Sequence, residues 1–419
     1  MTALPPAQPR GRRNGPPAVV LGLSMNALGT VRALRHAGRD VVAFEERPTS
    51  PTAILTWMSS RTRACRRNWL PPGAGEEAWV EAMLEFGRGQ EERCPVLPSS
   101  DAHVDWLSRH RARLEPWFRF FIPDPETLLT LTDKDRFGQH AESVGVPVPA
   151  CVRLSPGFEA PSLPATMRFP CILKPVIRDS RWDDLFSPAK ALELLTPADF
   201  EAGYRSASRA GVDLLLQETI PGPDRSLAFS HLYLAGAGRL AGAWTGRKLR
   251  QLPIHFGTAT LAETEDLPEV LDLSLRLLAP LRYRGYASVE FKHDARDGSY
   301  RALEITAGRS WYNHVLGADA GVNLPALWYS DLMGEPPPET VAVARVGVRW
   351  VDEYRDLIAA SEYRRAGELG WWKWLGSYWR VRSFAAWSWR DPLPGLFVVA
   401  RLGLSVINAV RRTLTGRRP

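Results

Sequence analysis

Two runs of residues that alternate with a period of two, separated by an Asp-Gly pair, constrain the fold of this chain more than any other feature. In 286–292, Tyr286, Ser288, Glu290 and Lys292 alternate with Ala287, Val289 and Phe291, which predicts a strand with one apolar face. In 300–306, Tyr300, Ala302, Glu304 and Thr306 alternate with Arg301, Leu303 and Ile305, and Asp297-Gly298 supplies the turn between the runs. A hairpin centred on Asp297 sets Glu290 directly opposite Glu304. Like charges facing each other across a strand pair are destabilising unless something positive lies between them. One solution is a hard divalent cation held by oxygen ligands, which points to Mg²⁺ and phosphate chemistry. The other is a solvated hairpin whose glutamates pair with the neighbouring Lys292 and Arg301.

The chain has 419 residues, enough for two or three domains, and its 45% hydrophobic content can supply a sizeable core. Its formal net charge of +7 is unevenly placed: residues 371–419 hold nine Lys/Arg and one Asp, and residues 1–17 hold three Arg. The body between them is mildly acidic, so a nucleic-acid partner is not expected. Cys65, Cys94, Cys151 and Cys171 are widely spaced, with no CxxC pair, and indicate neither a zinc site nor a disulfide framework. A reducing cytoplasm is the expected location. Residues 1–17 read as a disordered leader and not as a secretory signal, and no stretch reaches the roughly 20 apolar residues that span a bilayer.

From Ala18 the chain reads as a strand, a helix through Val31, Leu34 and Ala37 closed by Gly38, and a second strand at 40–45. The turn GLSMNALG lacks the spacing of a GxGxxG fingerprint, so dinucleotide binding is not expected there. With CPVLPSSDAHVDWLSRHRARL (94–114) as a further strand, Ser/Asp cap and helix, residues 18–130 form one doubly wound α/β domain. A capped helix ended by Gly145 and a Pro-punctuated linker follow. Strands are then expected at Cys171–Pro175, 214–222, 226–236 and 241–251, with helices near 197–210 and 267–279. The paired glutamates lie on the last hairpin of this antiparallel α+β unit.

Taken in order, four motifs resemble the ATP-grasp superfamily of carboxylate–amine (thiol) ligases, in the layout of its D-alanine–D-alanine ligase and carbamoyl-phosphate synthetase groups. They are DKDRF…GVPVP, FPCILKP, LLQETIPG, and SVEF…LEIT followed by GVNLPALWYSDLMG, and the resemblance covers about residues 18–335. It implies an N-terminal doubly wound pre-ATP-grasp domain followed by a two-lobed ATP-grasp fold with an antiparallel sheet. The implied ATP-grasp domain is 131–335, with a lid lobe over about 145–215 and a metal-bearing lobe over about 216–335. A Trp-rich basic extension would occupy 336–419.

The resemblance also implies roles. Lys134 and Lys174 would contact ATP phosphates, where lysine serves as a point charge on a long stem. Gln217, Glu218 and the backbone at Thr219 and Ile220 would form the adenine hinge, with Asp224 as a ribose contact. Glu290, Glu304 and Thr306 would hold Mg²⁺, or Mn²⁺ in its place, and Arg309 would be catalytic. Two departures stand out: the usual E-x-N-x-R is here Glu304-Ile-Thr306-Ala-Gly308-Arg309, and the lid VIRDSRWDDLFSPAKAL is poor in glycine. Gly308 could absorb the one-residue offset as a bulge. In GRKLRQLPIHFGTAT, Lys248 and Arg250 would share a strand face and, with Arg247, serve ATP phosphate and an anionic substrate group; a solvated strand edge is the alternative. The turn around Ser24 and Asn26 is expected to contribute to the acceptor site, and no role is assigned to His255 or His314.

The implied activity joins a small-molecule carboxylate to an amine through an acyl-phosphate, with no protein nucleophile. The alternatives are a kinase-like ATP-grasp phosphotransferase and a non-catalytic ATP-binding or membrane-scaffold protein. A homodimer is a further expectation. Trp371, Trp372, Trp374, Trp379, Trp387 and Trp389 lie among basic residues, and 395–411 reads as an apolar helix with a polar stripe at Arg401, Ser405, Asn408 and Arg412. Residues 371–419 are therefore expected either to attach peripherally to an anionic membrane or a membrane-bound partner, and to be dispensable for ATP binding, or to pack on the body as a covering layer.

Overall fold

The computed structural model describes residues 15–48, 59–163, 167–176, 180–186, 191–255 and 257–401. Most of the leader, parts of the expected lid and the 402–411 part of the expected C-terminal helix lie outside the described residues. The first sheet is parallel, with β1 (Ala18–Leu21), β2 (Val41–Glu46), β3 (Arg66–Leu70), β4 (Cys94–Pro98) and β5 (Phe118–Arg119) in the order β3-β2-β1-β4-β5. β1 is all apolar because it is buried at the centre of this doubly wound sheet. Ser24 caps the helix Met25–His36, its Oγ accepting from the Ala27 N–H.

The glycines of the GLSMNALG turn make room for the rest of the molecule. Gly22 has φ +89°, and a Cβ there would lie 2.8 Å from the ring of His103; a Cβ on Gly29 would lie 2.8 Å from the ring of His314. His314 is thereby seated on the first helix, with Nε2 3.2 Å from Thr30 Oγ1. Asn26 is buried beside it and donates to the carbonyls of Ser99 and Ser310. The structure thus gives Asn26 a clamping position between the first domain and the segment around Ser310.

A second, antiparallel sheet holds β6 (Cys151–Leu154), β7 (Cys171–Pro175), β8 (Leu192–Leu194) and β9 (Leu214–Glu218) in the order β6-β9-β7-β8. The helix Pro197–Ser208 covers it, held at its start by a capping box between Thr196 and Asp199. Within the expected lid, residues Ser180–Phe186 form a helix whose Trp182 is fully buried in the core of this lobe.

The third sheet has seven strands: β10 (Leu227–Ala235), β11 (Arg239–Leu252), β12 (Thr258–Thr264), β13 (Gly285–His293), β14 (Tyr300–Ala307), β15 (Arg349–Val351) and β16 (Val381–Phe384). Their order is β14-β13-β10-β11-β12-β15-β16, antiparallel except for the β15–β16 pair. The helix Pro268–Leu278 buries Val270, Leu273 and Leu277 against Leu232, Val289 and Phe291, each side chain contributing about 1.5–3 kcal/mol relative to exposure.

Glu290 pairs with Glu304 across β13 and β14, as the turn predicts. The simple alternation in β14 fails, however, because Phe291 pairs with Ala302 and leaves Leu303 as the extra residue of a bulge. Tyr300 and Ala302 therefore join Val289 and Phe291 in the apolar core instead of sharing the Glu304 face.

The expected boundary at 336 is not a boundary of the fold, since β15 and β16 complete the third sheet. Asp356, on the helix Glu353–Arg365, is fully buried and accepts from Arg250, Thr260, Trp374 and Tyr378. Asp391 accepts from Arg32, Thr62 and the Arg63 N–H, tying the end of the described chain to the first domain. Of the six tail tryptophans, Trp374 faces inward to Asp356 and Trp387 is half-buried, while Trp371, Trp372, Trp379 and Trp389 are exposed. No helix among the described residues is long and apolar enough to cross a membrane.

Candidate active site

The carboxylates of β13 and β14 meet three lysines from three other elements. Lys248 of β11 places Nζ 2.6 Å from Glu290 Oε2, and both side chains are largely buried. Lys174 of β7 donates to Gln217 Oε1 at 3.0 Å and lies within electrostatic reach of Lys134 and Glu304. Lys134 is the first residue of the helix Lys134–Ser143, whose cap Asp133 accepts from the N–H groups of Asp135 and Arg136. The helix start therefore fixes the base of the Lys134 side chain at the edge of the site.

The charges perturb one another. Burial pushes the Glu290 carboxyl above its ordinary range and Glu304 pushes it further, while Lys248 and Lys134 oppose both. Burial pulls the Lys174 ammonium down to about 8, and the like charge of Lys134 adds to that effect. Such opposed shifts mark a cluster of charges held together by the fold.

A cleft of about 460 Å³ opens beside the cluster, lined by Lys134, Glu304, Thr306, Arg309, Trp311 and Asp101 among others. Asp101 begins the helix Asp101–Arg109 of the first domain, so the cleft lies between domains. Arg309 is 8% exposed and forms a bidentate pair with Asp101 at 2.6 and 2.8 Å, with its guanidinium 5.0 Å from the centre of the Trp311 ring. Gly308, at φ +75°, precedes it and donates to the Tyr286 carbonyl, so the offset arginine is still delivered to the cleft wall.

Other residues singled out in the sequence have protein partners. Arg250 is not beside Lys248 on one face: Leu249 is the extra residue of a bulge in β11, and Arg250 donates to Asp356 and Ser377. Arg247 donates to Glu265 and to the Tyr300 hydroxyl. Asp224 is buried and accepts from Gln251 and Tyr363, with His255 Nδ1 at 3.3 Å. The Glu218 carboxylate pairs with Arg296 and Arg168, and the Thr219 N–H donates to the Pro170 carbonyl, so this side chain and this backbone donor of the hinge are both occupied by protein groups. Ile220 is buried next to it.

The alternative pairing of the glutamates with Lys292 and Arg301 is not observed: Glu290 takes Lys248, and Arg301 takes Asp294 and Asp297. Asp101 and Trp311 were not foreseen. Their only sequence signals are an Asp after a Ser cap and an aromatic two residues beyond Arg309, neither of which discloses a contact more than 200 residues long.

The donors at this position are the kind a hard cation takes. Glu290, Glu304 and the Thr306 hydroxyl present oxygen donors on neighbouring strands, and no group of three or more His, Cys, Asp or Glu suited to a metal occurs among the described residues. Mg²⁺ characteristically uses one or two carboxylates and completes its shell with phosphate and water oxygens.

No family model matches the chain. A curated relative, the D-aspartate ligase of Enterococcus faecium (strain Aus0004), is 21% identical over 342 residues, covering 76% of this chain and 77% of the relative. Among solved structures, the biotin carboxylase domain of Hydrogenobacter thermophilus 2-oxoglutarate carboxylase, in complex with MgADP and bicarbonate, superposes with a TM-score of 0.57 at 16% identity, covering 79% of this chain and 73% of that one. An L-amino acid ligase from Bacillus licheniformis superposes with a TM-score of 0.54 at 14% identity, covering 79% and 77%. The fold shared with these proteins is the ATP-grasp fold.

Proposed function

We propose that this chain, built on the ATP-grasp fold, is an ATP- and Mg²⁺-dependent ligase that joins a carboxylate to an amine as an amide. The observation that carries the reading is the convergence of Glu290, Glu304, Lys134, Lys174 and Lys248 at one end of the third sheet. Glu290 and Glu304, with Thr306, would hold Mg²⁺; Mn²⁺ is a cation of similar ligand preference. When bound, the cation neutralises β- and γ-phosphate oxygens. Lys134 and Lys174 would hold phosphate oxygens, and Ile220 and Thr219 would border the adenine.

Arg309 would orient the substrate carboxylate in the cleft, with Asp101 fixing the plane of the guanidinium until substrate replaces it. The carboxylate oxygen attacks the γ-phosphorus and ADP departs; the amine then attacks the acyl carbon and phosphate leaves. Lys248 would offset charge on the transferring group, so the catalytic contribution would be positioning and electrostatic stabilisation. An amino acid as one of the two substrates is supported by the names of the D-aspartate ligase and the L-amino acid ligase.

ADP and phosphate should accumulate when the protein is given Mg-ATP with amino-acid pairs, and only when an amine acceptor is present. Amine-independent ADP release would instead support the phosphotransferase reading, and nucleotide binding with no turnover the non-catalytic one. AMP and pyrophosphate as products would remove the ligase reading.

Lys174 adds a pH signature. Its ammonium titrates at about 8 in the free protein, and a phosphate beside Nζ favours the charged form and raises that value. Binding should therefore take up a proton above pH 8, and ATP affinity should fall as pH rises through this region. Calorimetry in buffers of different ionisation enthalpy measures the uptake, and Lys174→Ala should abolish it. Proton uptake unchanged in that variant would remove Lys174 from the phosphate site.

A further inference from the structure

The tail divides into an inner face that holds it to the body and an outer face that nothing among the described residues covers. On the helix Trp371–Ser377 and the turn after it, Trp374 and Tyr378 point inward and donate to Asp356. Trp372, Leu375 and Trp379, spaced i, i+3 and i+7, fall on one outer stripe. Trp372 and Trp379 are 86% and 85% exposed, and Leu375 and Trp371 about half exposed. Fully exposed tryptophans are unusual, since the ring is large and apolar.

The charges beside this stripe are of one sign. Lys373, Arg380, Arg382 and Arg390 are all exposed, and residues 371–390 contain no Asp or Glu. None of the four forms an ion pair among the described residues, unlike the exposed Arg109 and Arg113 of the first domain, which pair with Glu76 and Glu77. Unpaired cations flanking indole rings complement a surface that is negative at its plane and apolar just beneath it. Tryptophan favours that boundary because its ring is apolar and its N–H polar.

We propose that the outer face of 371–390 is a docking surface for an anionic lipid bilayer, with Trp372, Leu375 and Trp379 entering the headgroup region and Lys373 and Arg380 meeting lipid phosphates and carboxylates. The body would remain outside the bilayer. Because β16 and the Asp356 cluster fix this segment, the surface is pre-formed and binding does not need to order it.

The test is co-sedimentation of the full chain with vesicles of phosphatidylcholine alone or with about 30 mol% phosphatidylserine added, at low and high salt. Wild type should pellet with the anionic vesicles at low salt, be released by salt, and remain in solution with neutral vesicles. Trp372→Ala/Trp379→Ala and, separately, Lys373→Glu/Arg380→Glu should each lower the partition about tenfold or more, at roughly 1 kcal/mol for each lost basic contact. Bromine-labelled lipid should quench tryptophan emission of wild type and not of the tryptophan pair variant. Should the tryptophan variant fail to fold, the charge-reversal variant carries the test. Failure of wild type to bind anionic vesicles, or binding that survives both pairs of substitutions, overturns the proposal.

Discussion

Replacing Glu304 with glutamine is expected to lower ATP turnover about a hundredfold or more while leaving the melting temperature unchanged. Glu304 is exposed at the mouth of the site, so the amide fits where the carboxylate stood and removes only the charge available to a hard cation. Glu290→Gln should abolish turnover as well, with an added cost. Its carboxylate is the partner of the nearly buried Lys248, and leaving that ammonium unpaired costs about 3–5 kcal/mol. The two variants thus separate metal holding from internal charge pairing. Steady-state ADP release and urea denaturation are the measurements, and wild-type turnover in Glu304→Gln would sink the metal assignment.

The second large effect is expected at a residue that does not line the cleft. Asp356→Ala should destabilise the chain by about 3–5 kcal/mol, because it strands the buried Arg250 guanidinium and removes the acceptor of Thr260, Trp374 and Tyr378. Truncation before Trp371 should have a comparable effect, since it deletes β16 and two members of that cluster. Trp372→Ala, which touches the outer face only, should change stability by less than about 0.5 kcal/mol. If Asp356→Ala unfolds at the wild-type urea concentration, the tail is an appendage and not part of the sheet.

What the sequence disclosed follows the range of the interaction. The Glu290–Glu304 pairing was legible because a period of two and an Asp-Gly turn fix a register locally. The bulges at Leu249 and Leu303 were not, and each reverses an assignment: one sends Arg250 to Asp356, the other sends Tyr300 and Ala302 into the core. A bulge is one residue of slippage whose cause lies in what the strand meets. Arg250 and Asp356 are 106 residues apart, and β15 and β16 span only three and four residues, too short for alternation to reveal them. Lys134 and Lys174 could be named from motifs, but that Lys134 lowers Lys174 is a statement about folded geometry. Arg309 was expected at the site, while its partner Asp101, 208 residues earlier, has no sequence signal.

The late arrival of β16 has a consequence for how the protein is made. While the ribosome is still adding residues up to about 380, β15 has an open edge, and an unpaired edge is a template for association with other chains. Closing it requires a segment that also clasps Arg32 and Thr62, near the opposite end of the polypeptide. The most distant contacts therefore form last, after most of the sequence has already emerged. Nascent chains stalled before residue 381 should accumulate with a complete first domain and an unfinished third sheet, and these are the species a chaperone would need to hold.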